Sequence, residues 1–297
     1  MRPRLMEMSE SAFCCVSRGL VGSGWAAVRG FRPRMEDYVC VLDDLNEIGT
    51  RGHVNRSFYA VYDGHAGSLA AEMASEMVAR AVVEELGFGE VETVFRRVLL
   101  KCDKMIIERC DQRNSCSGTT ALICMIEGER LYVVNLGDSE VVLAYVPNRY
   151  WDGDKSSRLV ARVLSEKHTP TQRRETKRFS QFGGIILNGR IFGKLAVSRA
   201  LGDSEYKIPK INVNYVSNEP FIRSLQLDPS HRFLILASDG LWSKVSPQQA
   251  VDFVQERLLA EMPLSEISRE IAQHAIERGS QDNVSVIVVS LNWRHFE

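Results

Sequence analysis

Residues 58–67 read FYAVYDGHAG. Phe58 to Tyr62 are aromatic or small apolar residues in an unbroken run, the composition of a buried strand. Asp63-Gly64 ends the run with a turn dipeptide. Leu69, Met73, Met77, Ala81 and Val82 then recur at helical spacing, which predicts a helix over 67–86. A strand therefore feeds through an acidic, glycine-rich turn into an amphipathic helix. That places the Asp63 carboxylate at the mouth of an apolar core, where an unpaired charge costs several kcal/mol.

The same arrangement recurs outward from this stretch. Strands are predicted at 25–28, 38–42, 57–62, 119–126, 130–135, 141–146, 159–164, 233–237 and 284–290, rich in Val, Ile, Tyr and Phe and bounded by turn residues. A second apolar stripe predicts a helix over 91–110. A third begins near Ser246-Pro247-Gln248-Gln249, where Ser caps, Pro takes the first helical position and Gln249 completes a capping box. A fourth covers 265–278. Two helices early and two late, with strands between, point to sheets covered by helix pairs. Residues 145–158 read as a surface loop and 1–22 as a tail.

Acidic residues interrupt the β pattern at five places. Glu36-Asp37 precedes the strand at 38–42, and Asp63 follows 57–62. Asp138 sits in the tight link Gly137-Asp138-Ser139. Asp239 follows LILAS, and Asp282 precedes VSVIVV. Taken singly, Asp63-Gly64, Asp239-Gly240 and Asp138 are ordinary turn residues, Glu36-Asp37 an ordinary solvated pair, and Asp282-Asn283 the start of a strand. Five acidic sites at strand ends are a different matter. Gathered at one end of a sheet they would repel, and a divalent cation resolves the repulsion. An all-oxygen ligand set favours Mg2+ or Mn2+ over Zn2+.

Composition narrows the function. The chain has 297 residues, 44% hydrophobic and 25% charged, with a formal net charge of −1. That balance argues against a general nucleic-acid binder. The longest apolar runs are too short for a transmembrane helix, so no membrane partner is expected. Glu7 and Glu10 break the apolar stretch that a signal peptide needs, and Arg2 excludes myristoylation. Seven cysteines, Cys14, Cys15, Cys40, Cys102, Cys110, Cys116 and Cys124, show no C-x-x-C spacing and read as reduced thiols of a cytoplasmic or nuclear protein. Gly189 to Leu195 only superficially resembles a P-loop, since Leu195 stands where Ser or Thr must hold Mg2+. Gly22-Ser23-Gly24 lacks a following helix and is no dinucleotide fingerprint.

WAAVRGFRPRMED (25–37), FYAVYDGHAG, SGTTA, VVNLGDS, KLAVSRALGD, LILASDGLW and SQDNVSVIVV occur in the order seen in the metal-dependent type 2C protein phosphatases, which the chain resembles over roughly 23–291. The resemblance implies an α+β fold of four layers: two antiparallel sheets stacked face to face, with a helix pair on each outer side. It implies a catalytic domain over 23–292 between an N-terminal tail at 1–22 and a C-terminal tail at 293–297. It implies hydrolysis of phosphoserine and phosphothreonine in proteins by a water held between two Mn2+ or Mg2+ ions about 3.5–4 Å apart, without a phosphoenzyme. Asp63 would bridge the ions. Glu36 and the Gly64 carbonyl would bind one, and Asp239 and Asp282 the other. Asp37 would orient the attacking water from behind these ligands, and Asp138 with Asp239 would hold a third, weaker ion. Arg32 would bind the phosphoryl group, and His65 would protonate the departing alkoxide.

Two positions depart from the family pattern. Glu140 stands where Arg is usual, and Lys167 where Asp is usual. The basic residues Arg173, Arg174, Lys177 and Arg178 fall where the family carries a helix and a substrate flap, and read as a solvated helix face. The expected partners are phosphorylated proteins, and the expected state is a monomer. The alternatives are a phosphopeptide-binding adaptor that keeps the fold without turnover, and a phosphatase of small molecules on the same metal site.

Overall fold

The computed structural model describes residues 21–49, 54–147, 158–208 and 213–291. Ten strands build two five-stranded sheets. They are β1 (Val21–Val28), β2 (Tyr38–Leu42), β3 (Arg56–Tyr62), β4 (Ala121–Glu127), β5 (Arg130–Leu136), β6 (Glu140–Tyr145), β7 (Val160–Val163), β8 (Phe221–Gln226), β9 (His231–Ala237) and β10 (Val284–Leu291). One sheet has the order β1-β10-β9-β6-β7 and the other β8-β5-β4-β3-β2. Every pairing between these neighbours is antiparallel.

Side chains sort by the period of two that a pleated strand imposes. On β3, Phe58, Ala60 and Tyr62 pack against the helices α1 (Leu69–Glu85) and α2 (Val91–Gln112). Their neighbours Tyr59 and Val61 face the other sheet, where they meet Leu143, Leu234, Leu236 and Ile287. The opposite face of that second sheet, with Val142, Ile235, Val286 and Val288, is covered by α5 (Pro247–Leu259) and α6 (Leu264–Glu277). Three apolar interfaces between four layers result, which is the expected α+β sandwich. Both sheets are buried on both faces. This is why their strands read as continuous apolar runs rather than alternating ones.

The capping box at Ser246 is present as read: its hydroxyl accepts from the Gln249 N–H, and the Gln249 side chain returns a bond to the Ser246 N–H. Several boundaries differ. β1 begins at Val21, opposite Leu291 of β10, so Val21 and Gly22 belong to the sheet rather than to the predicted tail. The predicted strand at 119–126 divides in two. Gly118–Thr119 forms a separate small ladder, and Thr120 is turned towards Asp63, whose N–H donates to its Oγ1 at 3.0 Å. β8 was not foreseen. It is an edge strand of half-buried and exposed residues, with Arg, Ser and Gln breaking any apolar run. Most of the loop predicted at 145–158 lies outside the described residues, as do Cys14, Cys15 and the tail positions 1–20 and 293–297. The described cysteines, Cys40, Cys102, Cys110, Cys116 and Cys124, are all free. Among the described residues, no helix is long and apolar enough to cross a membrane.

Residues 173–180 form the short helix α3 (Arg173–Ser180). Arg173, Arg174 and Lys177 are exposed there, as expected of a solvated face. Arg178 is not. Glu175 and Phe179 turn inward at i and i+4, and Arg178 follows them. It pairs with Glu175 and donates to the carbonyls of Ser198, Asn214 and Tyr215.

Candidate active site

Antiparallel order brings the acidic turns to one end of the sandwich. Asp63 follows β3, the Asp138 link joins β5 of one sheet to β6 of the other, and Asp239 follows β9. Asp282 precedes β10, and Glu36-Asp37 precedes β2. Arg32, Glu36, Asp63, Gly64, His65, Asp138, Asp239 and Asp282 line one open cavity of about 440 Å3. Of the predicted site residues, only Asp37 is absent from its wall. Asp37 is buried behind it, and its carboxylate accepts a 2.9 Å hydrogen bond from the Ser238 hydroxyl.

The tightest grouping is Asp63, Asp138 and Asp239, each of which offers a carboxylate oxygen within 4.8 Å of the others. Asp138, expected only at the margin, thus stands beside the central carboxylate. Glu36 and Asp282 line the cavity outside this trio. Asp282 accepts 2.7 Å from the Arg32 guanidinium and 2.8 Å from the Asn283 N–H. The Arg32 side chain is more than half exposed, so its fork reaches into the cavity from the rim.

Burial dominates the electrostatics of the floor. It pushes Asp138 up to about 7, with the charge of Asp239 adding to it. It raises Asp37 to about 7 as well, against the hydroxyls of Ser285 and Ser238, which favour the charged form, and with smaller help from the charges of Asp239 and Asp282. Asp63 lies well above the ordinary aspartate range, through burial first and then through Asp37 and Asp239. Asp239 is raised by burial and by Asp282. Burial first, and then the carboxylates' mutual repulsion, hold them above their ordinary range, and a bound cation would offset both. The all-oxygen donor set fits a hard divalent cation.

Local backbone design keeps the turns together. A Cβ on Gly64 would lie 2.3 Å from the Glu36 carbonyl oxygen, so only glycine lets these two segments touch. Asn283 ties the segment before β2 to the turn before β10. Its Oδ1 accepts from the Glu36 N–H at 2.8 Å, and its Nδ2 donates to the carbonyls of Arg29 and Arg34. His168 pins the Asp138 link: Gly137 N–H donates to its Nδ1 at 3.3 Å, and the His168 backbone N–H donates to Gly137 O at 2.9 Å. Burial lowers the His168 pKa to about 3, so the ring is neutral and can accept that bond.

A family model described as protein phosphatase 2C matches residues 21–284. The chain belongs to the protein phosphatase 2C family. It is 37% identical over 278 residues to the protein spalten of Dictyostelium discoideum, covering 91% of this chain and 28% of that much longer protein. It is 36% identical over 276 residues to a probable protein phosphatase 2C 27 of Oryza sativa subsp. japonica, covering 90% of this chain and 74% of the relative. A solved C. elegans sex determining protein superposes with a TM-score of 0.79 at 26% identity, covering 92% of this chain and 65% of that one. Dependence on metal is general to protein phosphatase 2C members, and the acidic trio supplies a place for a cation.

The two positions that depart from the family pattern meet in space. Lys167 Nζ lies 2.8 Å from Glu140 Oε1. The two residues are thus partners in one ion pair of this chain. Glu140→Arg alone would set two cations together and is expected to lower stability by about 1–2 kcal/mol. Glu140→Arg with Lys167→Asp restores the pair, and thermal melting of the single and double variants checks the recovery. A melting temperature of the double variant no higher than that of the single one would show that the pair is incidental.

One residue of the site escaped the sequence reading. Asp203 is buried and lines the cavity, and both its carboxylate oxygens lie 2.9 Å from His65 Nε2. Burial works against a protonated His65 ring, yet Asp203 outweighs it and the His65 pKa is raised. Asp203 ends the quoted motif KLAVSRALGD, but it lies 138 residues from His65 and nothing in the spacing joins the two.

Proposed function

We propose that this chain is a metal-dependent phosphatase that hydrolyses phosphoserine and phosphothreonine in proteins, with Mn2+ or Mg2+ as cofactor, two ions per chain. The observation that carries the reading is the convergence of Asp63, Asp138 and Asp239 within 4.8 Å on the floor of a cavity rimmed by Arg32 and His65. Asp63, Glu36, the Gly64 carbonyl, Asp239 and Asp282 would hold the two ions, and Asp138 with Asp239 a third, weaker one. Bound divalent cations supply Lewis acidity and bring the pKa of water towards neutrality.

The chain's own groups do the rest. Arg32 offers a planar fork that matches two phosphoryl oxygens, and its present bond to Asp282 aims it across the cavity floor. Asp37, fixed by Ser238, sits behind the carboxylates, where it can accept a hydrogen bond from ordered water and orient it. His65 stands on the opposite side from Arg32 in chemical role: it carries a proton for the departing serine or threonine oxygen. The openness of the cavity suits a side chain presented on a protein surface.

A metal-titrated assay on a phosphothreonine peptide tests this. The reading expects hydrolysis that rises with added Mn2+ or Mg2+ and disappears with chelator. A protein that binds the phosphopeptide but never releases phosphate would instead be an adaptor. Faster hydrolysis of sugar phosphates than of phosphopeptides would point to small-molecule substrates.

A further inference from the structure

His65 does not sit in the cavity as an isolated ring. It lies on a two-residue strand, Gly64–His65, paired with Gly118–Thr119, which in turn pairs with Leu201–Gly202. His65 is opposite Gly118, and Gly118 is opposite Gly202. The next residue, Asp203, turns back in a left-handed conformation at φ 55° and reaches across Gly118 to the imidazole. A Cβ on residue 118 would lie 2.3 Å from Asp203 Oδ2 and 2.4 Å from His65 Nε2, so the contact exists only because that position has no side chain.

The Asp203 segment is itself anchored from below. Asp103, buried on α2, accepts from the Gly202 N–H at 2.8 Å, from Lys207 Nζ at 2.7 Å and from Asn218 Nδ2 at 2.7 Å. These bonds hold the chain on both sides of Asp203. A non-glycine residue in the left-handed region, a glycine window and a buried ionic anchor all converge on one histidine–carboxylate contact. Such convergence marks a built arrangement rather than an incidental surface pair.

We propose that Asp203 is a positioning residue for His65, fixing the imidazole through Nε2 so that Nδ1 presents its proton to the serine or threonine oxygen that leaves. The proposal rests on the phosphatase reading above. The carboxylate accepts a hydrogen bond from Nε2–H, so that proton stays in place and the transferred one departs from Nδ1. No hydrogen bond among the described residues holds Nδ1. In the step itself, a water oxygen bonds to phosphorus and gives a proton to solvent. The bond from phosphorus to the side-chain oxygen breaks with its electron pair on that oxygen. The oxygen takes the Nδ1 proton, and the ring returns to neutral. A carboxylate behind the second ring nitrogen serves orientation and proton retention in the same way in other histidine-dependent sites.

The distinguishing measurement compares two substrates at saturating Mn2+. A phosphothreonine peptide releases an alkoxide and needs a proton, whereas p-nitrophenyl phosphate releases a stabilised phenolate and does not. Asp203→Asn is expected to lower kcat on the peptide by about 10^2-fold, with a loss on the aryl ester at least tenfold smaller. On a His65→Gln background, adding Asp203→Asn is expected to change the peptide rate less than about threefold, as groups acting as one unit do. Gly118→Ala, which alters neither charged group, is expected to give the same substrate-selective loss. Equal losses on both substrates, or a full further loss on the His65→Gln background, would overturn the proposal. Absence of hydrolysis by the unaltered chain on either substrate would instead overturn the phosphatase reading itself.

Discussion

Asp239→Asn is expected to reduce phosphopeptide hydrolysis by about 10^3-fold or more while leaving the fold intact. Asp239 opens the single-turn helix α4 (Asp239–Trp242), directly after β9. The turn is held from the far side by Trp242, whose indole N–H donates to the carbonyls of Ala237 and Glu140. Asn keeps the size of Asp and leaves those bonds untouched. What it removes is one negative charge from a group that also contains Asp63 and Asp138. In chelated protein that removal relieves repulsion, so the variant should melt no lower than the original. With Mn2+ present it removes a ligand, so the stabilisation by metal should shrink. The two measurements move in opposite directions, which a merely damaged fold cannot produce. A variant retaining more than a tenth of the activity would refute the placement of Asp239 among the ligands.

The second large effect is a linkage between pH, metal and stability. In the metal-free chain Asp37 and Asp138 titrate near 7, against 3.8 for an ordinary aspartate. Between those values the folded form binds more protons than the unfolded chain, so stability is highest at the acid end and falls as pH rises through about 7. Divalent cations compete with those same protons. Their affinity should therefore climb steeply from about pH 5 to 7 and level off above. With two groups involved, the limiting slope is about a hundredfold per pH unit. Chelated protein should melt at progressively lower temperature over that range, and saturating Mn2+ should reverse the trend. Melting curves at half-unit pH steps, with and without Mn2+, check both arms. Equal pH dependence in the two series would mean that no cation displaces protons from these carboxylates.

Most of the frame was readable in the chain because burial on both faces leaves a strong mark. β3, β4, β9 and β10 are apolar at nearly every position, and α1 and α2 carry long apolar stripes. β8 left no such mark, since an edge strand with Arg, Ser and Gln has little apolar surface to bury. The five acidic turns could be singled out, because a carboxylate beside an apolar strand is locally anomalous. Their convergence could not be derived locally, since it depends on which strand ends share one end of the sandwich. It came from the family resemblance.

Pairings between distant residues were the least legible. Glu140 and Lys167 each stood out as a departure, yet only the 2.8 Å contact shows them to be partners. Asp203 attracted no notice, because an Asp after Gly is an ordinary turn residue until a histidine is found across a glycine from it. Arg178 looked like its exposed neighbours in sequence. It is the inward turn of Glu175 and Phe179 that takes it out of the solvated face.

Calorimetric titration of chelated protein with Mn2+ at about pH 7.5 tests the central claim most directly. The account expects two ions bound with proton release, and loss of at least one ion and part of that release in Asp239→Asn. Titration of the unaltered chain without measurable binding, or with binding that Asp239→Asn leaves unchanged, would contradict it.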